Sequence, residues 1–262
     1  MNALVTGANQ GLGRALVAGL KAADVDVLLT GRNPERVKQA AAELQVEGRV
    51  LDVRDPRAIY ALAEELGHVD IVFSNATARM APDADPAGEV DAVAETNNLA
   101  TTHILRAFAG APKLIIVASA LGTLDKLPAQ ARAEFDGLDT LDEVDALVEK
   151  WRAAVQAGSD HYGRWLNIPS KVAQVAAVRA AARQPHAGLI MALCTGLIDT
   201  DASRPWFTDM SGAQTPEQAA KWPVELALTP DPDPAFDGEL VQFGKVIPFA
   251  TGMPAIPHRA IA

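Results

Sequence analysis

The feature that most restricts this chain is a set of short apolar runs with no polar alternation. "IVFS" at 71–74, "LIIVA" at 114–118 and "LIMALC" at 189–194 offer apolar side chains to both faces of an extended backbone. Strands of that kind are covered by helices on both sides, as happens inside a parallel sheet. Further extended runs fall at Ala3–Thr6, Val25–Thr30, Arg49–Leu51 and Glu239–Phe243. Helical patterns begin near Leu12, Pro34, Pro56, Asp91, Ile168 and Thr215. Strand and helix alternate through most of the chain, which predicts an α/β fold on a Rossmann-type, doubly wound parallel sheet. No short-period repeat or linker divides it, so residues 1–262 read as one domain.

Two segments break the rhythm. Residues 123–166 form a helical insertion before the helix expected near Ile168. Within it, Thr140 and Glu143 have capping-box spacing. Leu141, Val144, Leu147, Val148, Trp151 and Val155 then make an apolar stripe, and Gly158 stops it. The Pro-rich tail, 248–262, reads as surface coil.

Charge and composition exclude several classes of function. Acidic residues outnumber basic ones, 33 to 23, for a net charge of −10, so no nucleic-acid partner is expected. The single cysteine, Cys194, excludes an internal disulfide and a cysteine-based zinc cluster. His103, His186 and His258 are scattered without metal-ligand spacing, so no metal is expected. No apolar stretch approaches the ~18–20 residues of a membrane span. "MNALVTG" starts directly as a strand, with no leader. The expectation is a cytoplasmic protein with a small-molecule substrate and no membrane partner.

"TGANQGLG", residues 6–13, lies between the first strand and the first helix. Its glycines allow a tight turn and a close approach of backbone to pyrophosphate, while the helix start presents free amides. Alone, a glycine triplet also fits an ordinary strand–helix turn. The spacing G-x-x-x-G-x-G, together with motifs further along, resembles the short-chain dehydrogenase/reductase family over nearly the whole chain. "SNAT" at 74–77 is similar to that family's N-N-A-G turn, with Asn75 and Ala76 kept and Thr77 for glycine. "ETNNLAT" is similar to the helix of its active-site asparagine, aligned to Asn97, and Ser119 in "IIVASALG" stands at the catalytic serine. "CTGLIDTD" is similar to the P-G-x-x-x-T-D turn, with Thr195 for proline and Thr200 kept. The resemblance implies a dinucleotide held by Gly7, Asn9, Gln10, Gly11, Leu12 and Gly13, with Asp52 and Val53 beside the adenine. Asn75, Ala76, Lys171 and Thr200 complete that set.

The second strand ends in "LLTGRN". Sites selecting NAD place a carboxylate there for the ribose 2′-hydroxyl, whereas Gly31 occupies the place and Arg32 follows with a fork suited to a 2′-phosphate. NADP(H) is expected, with NAD the alternative. Many NADP-preferring relatives carry a second basic residue where this chain has Gln10. The long spacing between Ser119 and Lys171 is similar to the monomeric carbonyl-reductase branch of the family, as is "TPEQAAKWPVELAL". That resemblance implies a monomer whose added helix pair covers the family's usual oligomer face.

"NIPSK" at 167–171 departs from the pattern. The resemblance implies a proton-donating tyrosine four residues before Lys171, on the same helix face, and Asn167 stands there. An ordinary phenol has a pKa of about 10, which a lysine ammonium lowers; an amide has no proton to give. Three readings stay open. Asn167 caps the helix, with Pro169 in its first turn. Alternatively, Ser119, Asn167 and Lys171 orient a substrate while water or another group, with Tyr162 and His161 on the preceding loop as candidates, supplies the proton. Or the chain has lost chemistry and binds or senses NADP(H) silently. The retained groups favour an NADP-dependent oxidoreductase of an activated carbonyl, enone or imine. Trp165 and Trp206 flank the expected cleft, either as substrate-packing rings or as a contact between insertion and substrate loop.

Overall fold

In the computed structural model, which describes residues 1–251, the apolar runs assemble into one sheet. Its strands are β1 (Asn2–Val5), β2 (Asp26–Gly31), β3 (Glu47–Val50), β4 (Ile71–Ser74), β5 (Lys113–Val117), β6 (Leu189–Cys194), β7 (Leu240–Gln242) and β8 (Lys245–Ile247). They lie in the order β3-β2-β1-β4-β5-β6-β7-β8, parallel throughout except for β8, which runs antiparallel to β7. The helices are α1 (Gly11–Ala22), α2 (Pro34–Leu44), α3 (Pro56–Leu66), α4 (Pro86–Val93), α5 (Ala100–Ala107), α6 (Arg132–Phe135), α7 (Leu141–Gln156), α8 (Asn167–Ala182) and α9 (Pro216–Leu228). A π-helical stretch, Ala94–Leu99, joins α4 to α5.

Successive strand residues enter two different cores. Leu4 of β1 joins the side chains of α3, α4, α5, α7 and α8, whereas its neighbours Ala3 and Val5 join those of α1, α2 and α9. That two-sided burial is why the central strands lack polar alternation. Helix starts reflect local chemistry: Asn33, Asp55 and Thr215 cap α2, α3 and α9, each with proline in the first turn. The chain builds outward from β1 to β3 and then crosses back to β4. A crevice therefore opens at the carboxyl ends of β1 and β4, the usual ligand position in such a sheet.

Three expectations need correction. Helix α4 starts at Pro86, capped by Asp85, five residues before the expected Asp91; its break into the π-helical stretch hides a single period. Strand β8 was not expected, because it is three residues long with Lys245 and Val246 exposed. Phe243 and Gly244, both at positive φ (48° and 73°), turn β7 back into it. Finally, the tail does not begin as free coil. Phe249 is buried, its carbonyl oxygen accepts the Leu124 N–H at 2.8 Å, and its ring lies 5.1 Å from the Arg179 guanidinium. Residues 252–262, with His258, lie outside the described residues.

The insertion is one long helix preceded by two short turns, a 3-10 turn at Leu124–Lys126 and α6, rather than a helix pair. The capping box of Thr140 and Glu143 is formed, and Gly158 ends the helix at φ 77°. Val144, Leu147, Val148, Trp151 and Val155 are buried, while Leu141 is only partly so. This stripe packs on α4, α5, α8 and the π-helical stretch. Arg152 reaches Asp91 and Glu95 at 2.6 and 3.2 Å, and Arg106 reaches Asp142 and Asp145 at 2.6 and 2.8 Å. These pairs tie α7 to the helices beneath it.

Glu134 on α6 anchors the rest. Its carboxylate accepts the Tyr162 hydroxyl at 2.7 Å, His161 Nε2 at 2.7 Å and Lys150 Nζ at 3.0 Å. Burial alone would raise its pKa, but these donors outweigh it and hold the carboxyl at about 2. Tyr162 is 2% exposed and edge-on to Phe135, with ring centroids 6.0 Å apart. Glu134→Gln keeps the shape and removes the charge. We expect it to lose about 2–3 kcal/mol in urea unfolding at pH 7, the scale of a charged, partly buried hydrogen-bond network. Since the folded-state carboxyl lies below its ordinary 4.5, this stability is full above that pH and fades as the pH falls towards about 2. The gap between wild type and variant should close over that window.

Candidate active site

The crevice is sewn together by one hydroxyl. Thr6, just past β1, is fully buried, and its Oγ1 accepts the Asn75 and Ala76 N–H groups at 3.0 and 3.1 Å. In return, Asn75 Nδ2 donates to the carbonyl oxygens of Thr6 and Gly7, each at 3.1 Å. Asn75 thus holds the "TGANQGLG" loop in place. Gly7 and Gly11 sit at φ 62° and 55°, which lets the loop turn directly into α1. Gln10 at the helix start provides no side-chain cap, and the first amide to close a helical bond is that of Arg14, to the Gln10 carbonyl. The amides of Gly11, Leu12 and Gly13 are therefore left for an anion. Thr200 overhangs this point, its Cγ2 3.6 Å from where a Gly11 Cβ would be.

At the outer end, a Cβ on Gly31 would fall 2.7 Å from Asn9 Oδ1. A carboxylate side chain at position 31 has no room unless Asn9 moves. Arg32 is exposed and makes no ion pair among the described residues. Behind it lies a cavity of about 220 Å³ lined by Asn9, Gln10, Arg36, Gln39, Ala40 and Glu43. Arg36 Nη1 donates to Gln10 Oε1 at 3.4 Å, which puts a second guanidinium against the residue that lacked charge in the sequence. Arg14 is taken up by Glu43 at 2.8 Å, whereas Arg36 has no carboxylate partner among the described residues. Asp52 is engaged with Arg54, whose Nη2 lies 2.6 Å away and whose hydrogen bond lowers the carboxyl pKa most. Val53 contributes its side chain to the core, so only its backbone is open to a ligand.

The inner half of the crevice centres on Asn97, in the π-helical stretch. Such widened turns recur at functional sites. Asn97 is 1% exposed; its Oδ1 accepts Ala78 N–H at 2.8 Å and Thr77 Oγ1 at 3.1 Å, and its Nδ2 donates to Ser170 Oγ at 3.1 Å. Thr77, standing where a glycine was expected, therefore has a partner. The Asn97 carbonyl oxygen accepts Gln174 Nε2 at 2.8 Å and Thr101 Oγ1 at 2.6 Å. Gln174 Oε1 in turn accepts Lys171 Nζ at 2.7 Å, and the Val117 carbonyl lies 3.4 Å from the same nitrogen. Burial lowers the Lys171 pKa to about 8.

Ser119, just past β5, is half-buried, and its Oγ accepts the Leu121 N–H at 3.2 Å. Its segment presses on α8 at Gly122, where a Cβ would lie 2.9 Å from the Lys171 carbonyl oxygen and 3.1 Å from that of Ser119. Cys194 Sγ, at the end of β6, accepts Ala120 N–H at 3.2 Å and Gln242 Nε2 at 3.3 Å. Ser119, Lys171, Asn97 and Cys194 are thus gathered where β5, β6 and α8 converge.

Two expectations at this site fail. Asn167 is not a cap: it is already the first residue of α8, preceded by Leu166 in helical conformation, and its side chain makes no hydrogen bond among the described residues. The turn that brings the Ile168 N–H to the Trp165 carbonyl leaves no extended residue to act as one. Pro169 does sit in the first turn. Tyr162 is not an exposed loop residue; its hydroxyl is bound to Glu134, and burial followed by that carboxylate pushes the phenol pKa up. It is no proton donor for this cleft. Arg36 and Gln174 were missed. Gln174 had a signal, a lone polar side chain three residues after Lys171 in an alanine-rich helix.

A recess of about 380 Å³ lies between the segment after β4, the entry to α8 and the loop after β6. Met80, Pro82, Pro86, Trp165, Leu166 and Trp206 line it, with Asp83, Glu89 and Arg164. The indoles of Trp165 and Trp206 lie 5.7 Å apart at 33°, so the insertion contacts the loop after β6 and the same pair faces the recess. Among the described residues, no group of metal-binding side chains occurs and no helix is long and apolar enough to cross a membrane.

Residues 1–130 match the family model described as short chain dehydrogenase. Carbonyl reductase (NADPH) 3 of Mus musculus is 30% identical over 271 residues, spanning 92% of this chain and 95% of that protein. Among solved structures, salutaridine reductase from Papaver somniferum superposes with a TM-score of 0.78 at 19% identity, over 91% of this chain and 98% of that one. Menthone neomenthol reductase from Mentha piperita gives 0.73 at 21% identity, over 92% and 98%.

Proposed function

Given that the chain belongs to the short-chain dehydrogenase/reductase family, we propose that residues 1–262 are one catalytic domain whose site lacks the usual phenolic acid at residue 167. The protein is an NADP(H)-dependent oxidoreductase of carbonyl compounds. The residues present fit that cofactor. Free amides at the start of α1 suit the pyrophosphate, position 31 carries no carboxylate and is crowded by Asn9, and Arg32 and Arg36 offer two cations for a 2′-phosphate. Lys171 and Thr200 would hold its nicotinamide end, and Asp52 with the Val53 backbone its adenine. When bound, NADPH supplies the hydride.

The observation that carries the finer reading is Asn167: half-buried, with no side-chain hydrogen bond among the described residues, and on the helix face of Lys171. With Ser119 it can hold a substrate oxygen by hydrogen bonds, yet it has no proton to release. That favours substrates needing little acid at oxygen, such as an activated carbonyl, an enone or an imine that brings its own proton. The Trp-lined recess suits a ring-containing small molecule.

Three outcomes are expected. Arg32→Ala and Arg36→Ala should each weaken NADPH roughly 10–100-fold by calorimetry, the scale of a charged hydrogen bond, and leave NADH unchanged. NADPH affinity unaltered by both would sink the phosphate assignment. With α7 covering α4 and α5, light scattering should report a monomer of 27.6 kDa at micromolar concentration, and a stable tetramer would contradict it. Asn167→Tyr should raise NADPH-dependent reduction of simple ketones by ~10²–10⁴-fold, the usual contribution of a general acid. A wild type that binds NADPH but reduces no ketone, enone or imine, with a tyrosine variant equally inert, would leave a silent cofactor-binding protein instead.

A further inference from the structure

The hydrogen bonds of Gln174 fix which way its amide points. Its Nε2 faces two acceptors, the Asn97 carbonyl oxygen at 2.8 Å and Thr101 Oγ1 at 3.2 Å. Thr101 donates its own proton to that same carbonyl at 2.6 Å, which leaves its oxygen lone pairs free to accept. The Gln174 oxygen must therefore face the other way, onto Lys171 Nζ at 2.7 Å. Gln174 is 3% exposed, so water does not compete for these contacts.

We propose that Gln174 is the positioning residue of this active site: its neutral amide clamps the Lys171 ammonium to the Asn97 carbonyl and leaves Lys171 as the group of the pocket that changes charge. The proposal rests on the reading of Lys171 as a member of the site. A neutral oxygen gives the ammonium a hydrogen bond without a compensating charge, whereas a carboxylate there would hold the lysine permanently protonated. Val117 of β5, Cys194 of β6, Gln174 of α8 and, beyond it, Asn97 and Thr101 surround the amine. Of these only Cys194 titrates, and burial raises its thiol pKa and keeps it neutral.

The charged groups on the neighbouring elements are engaged elsewhere. Asp145 of α7 binds Thr102 and Arg106, Glu95 of the π-helical stretch binds Arg152, and Glu134 of α6 binds Tyr162, His161 and Lys150. Arg179 of α8 is paired with Glu239. No carboxylate among the described residues thus opposes desolvation, in keeping with a Lys171 pKa of about 8. Because the Asn97 carbonyl already accepts two hydrogen bonds, no path for a proton leads inward through it.

The test uses the full chain labelled with ε-¹⁵N lysine, the Lys171 signal being assigned by its loss in Lys171→Met. The wild-type signal should titrate with a midpoint near 8. Gln174→Met fills the same space without an acceptor and should lower the midpoint by about one pH unit, the scale of a hydrogen bond to a charged group. Gln174→Glu should move it the other way, above its wild-type position, and serves alone if the methionine variant does not fold. NADPH affinity, read by fluorescence across the same pH range, should fall above each protein's own midpoint. A residue that merely packs would alter melting and leave these midpoints where they were. Midpoints unchanged in both variants overturn the proposal. Midpoints that shift as expected in a protein with no affinity for NADPH overturn the cofactor reading and leave the clamp standing.

Discussion

A lysine buried without a carboxylate must be held by neutral oxygens, and much of the local architecture depends on that constraint. Lys171 reaches the Gln174 amide and the Val117 carbonyl, and the amide reaches the Asn97 carbonyl. An α-helical carbonyl normally accepts the amide four residues ahead; the π-helical turn at Ala94–Leu99 changes that spacing around Asn97. The Asn97 side chain then holds the segment after β4 through Ala78 and Thr77, and Ser170 of α8. One asparagine thus couples the β4 turn, the π-helical stretch and α8. Altering any of these would move the lysine.

A similar linkage joins the two halves of the crevice. Thr6 binds the end of β1 to the turn after β4, and that turn continues directly into Thr77 and Ala78. The glycine loop and the Lys171 chain are therefore ends of one hydrogen-bonded strip along the carboxyl ends of β1 and β4. Outside it, the charges of α7 fix that helix to α4 and α5, and Glu134 fixes the loop leading to Trp165 and α8. The insertion consequently sets the approach to the cleft as well as covering the helix layer. The Trp165–Trp206 contact is where the two roles meet.

Much of this was legible in the sequence because it is local. The bounds of β4 and β6, the Thr140–Glu143 box, the Gly158 stop and the Gly7–Gly13 loop all depend on residues within a few positions of one another. What was not legible depends on partners far along the chain. Gln174 is satisfied by residues 77 and 73 positions earlier, and Arg36 meets Gln10 across 26. Tyr162 was a loop candidate for proton donor because nothing nearby in sequence reveals that Glu134 and Phe135 receive it. Asn167 looked like a cap because asparagine favours that place, yet the turn at Trp165–Leu166 enters the helix one residue too early.

That last displacement bears on chemistry. A capping asparagine commits its oxygen to a backbone amide, whereas an asparagine inside the first turn keeps both oxygen and nitrogen available. On the proposed reading, the position that would carry a phenol instead carries an uncommitted amide on the same helix face as Lys171. The amide can orient an oxygen atom but cannot change its own charge. With Tyr162 withdrawn to Glu134 and the Cys194 thiol held neutral by burial, Lys171 is left as the titrating side chain of the cleft. The substitution at residue 167 and the neutral clamp at Gln174 therefore belong to one arrangement. On that reading, an amide in place of the phenol would shift the site's acid–base character onto the amine, and an amine without a neighbouring carboxylate stays within reach of neutral pH.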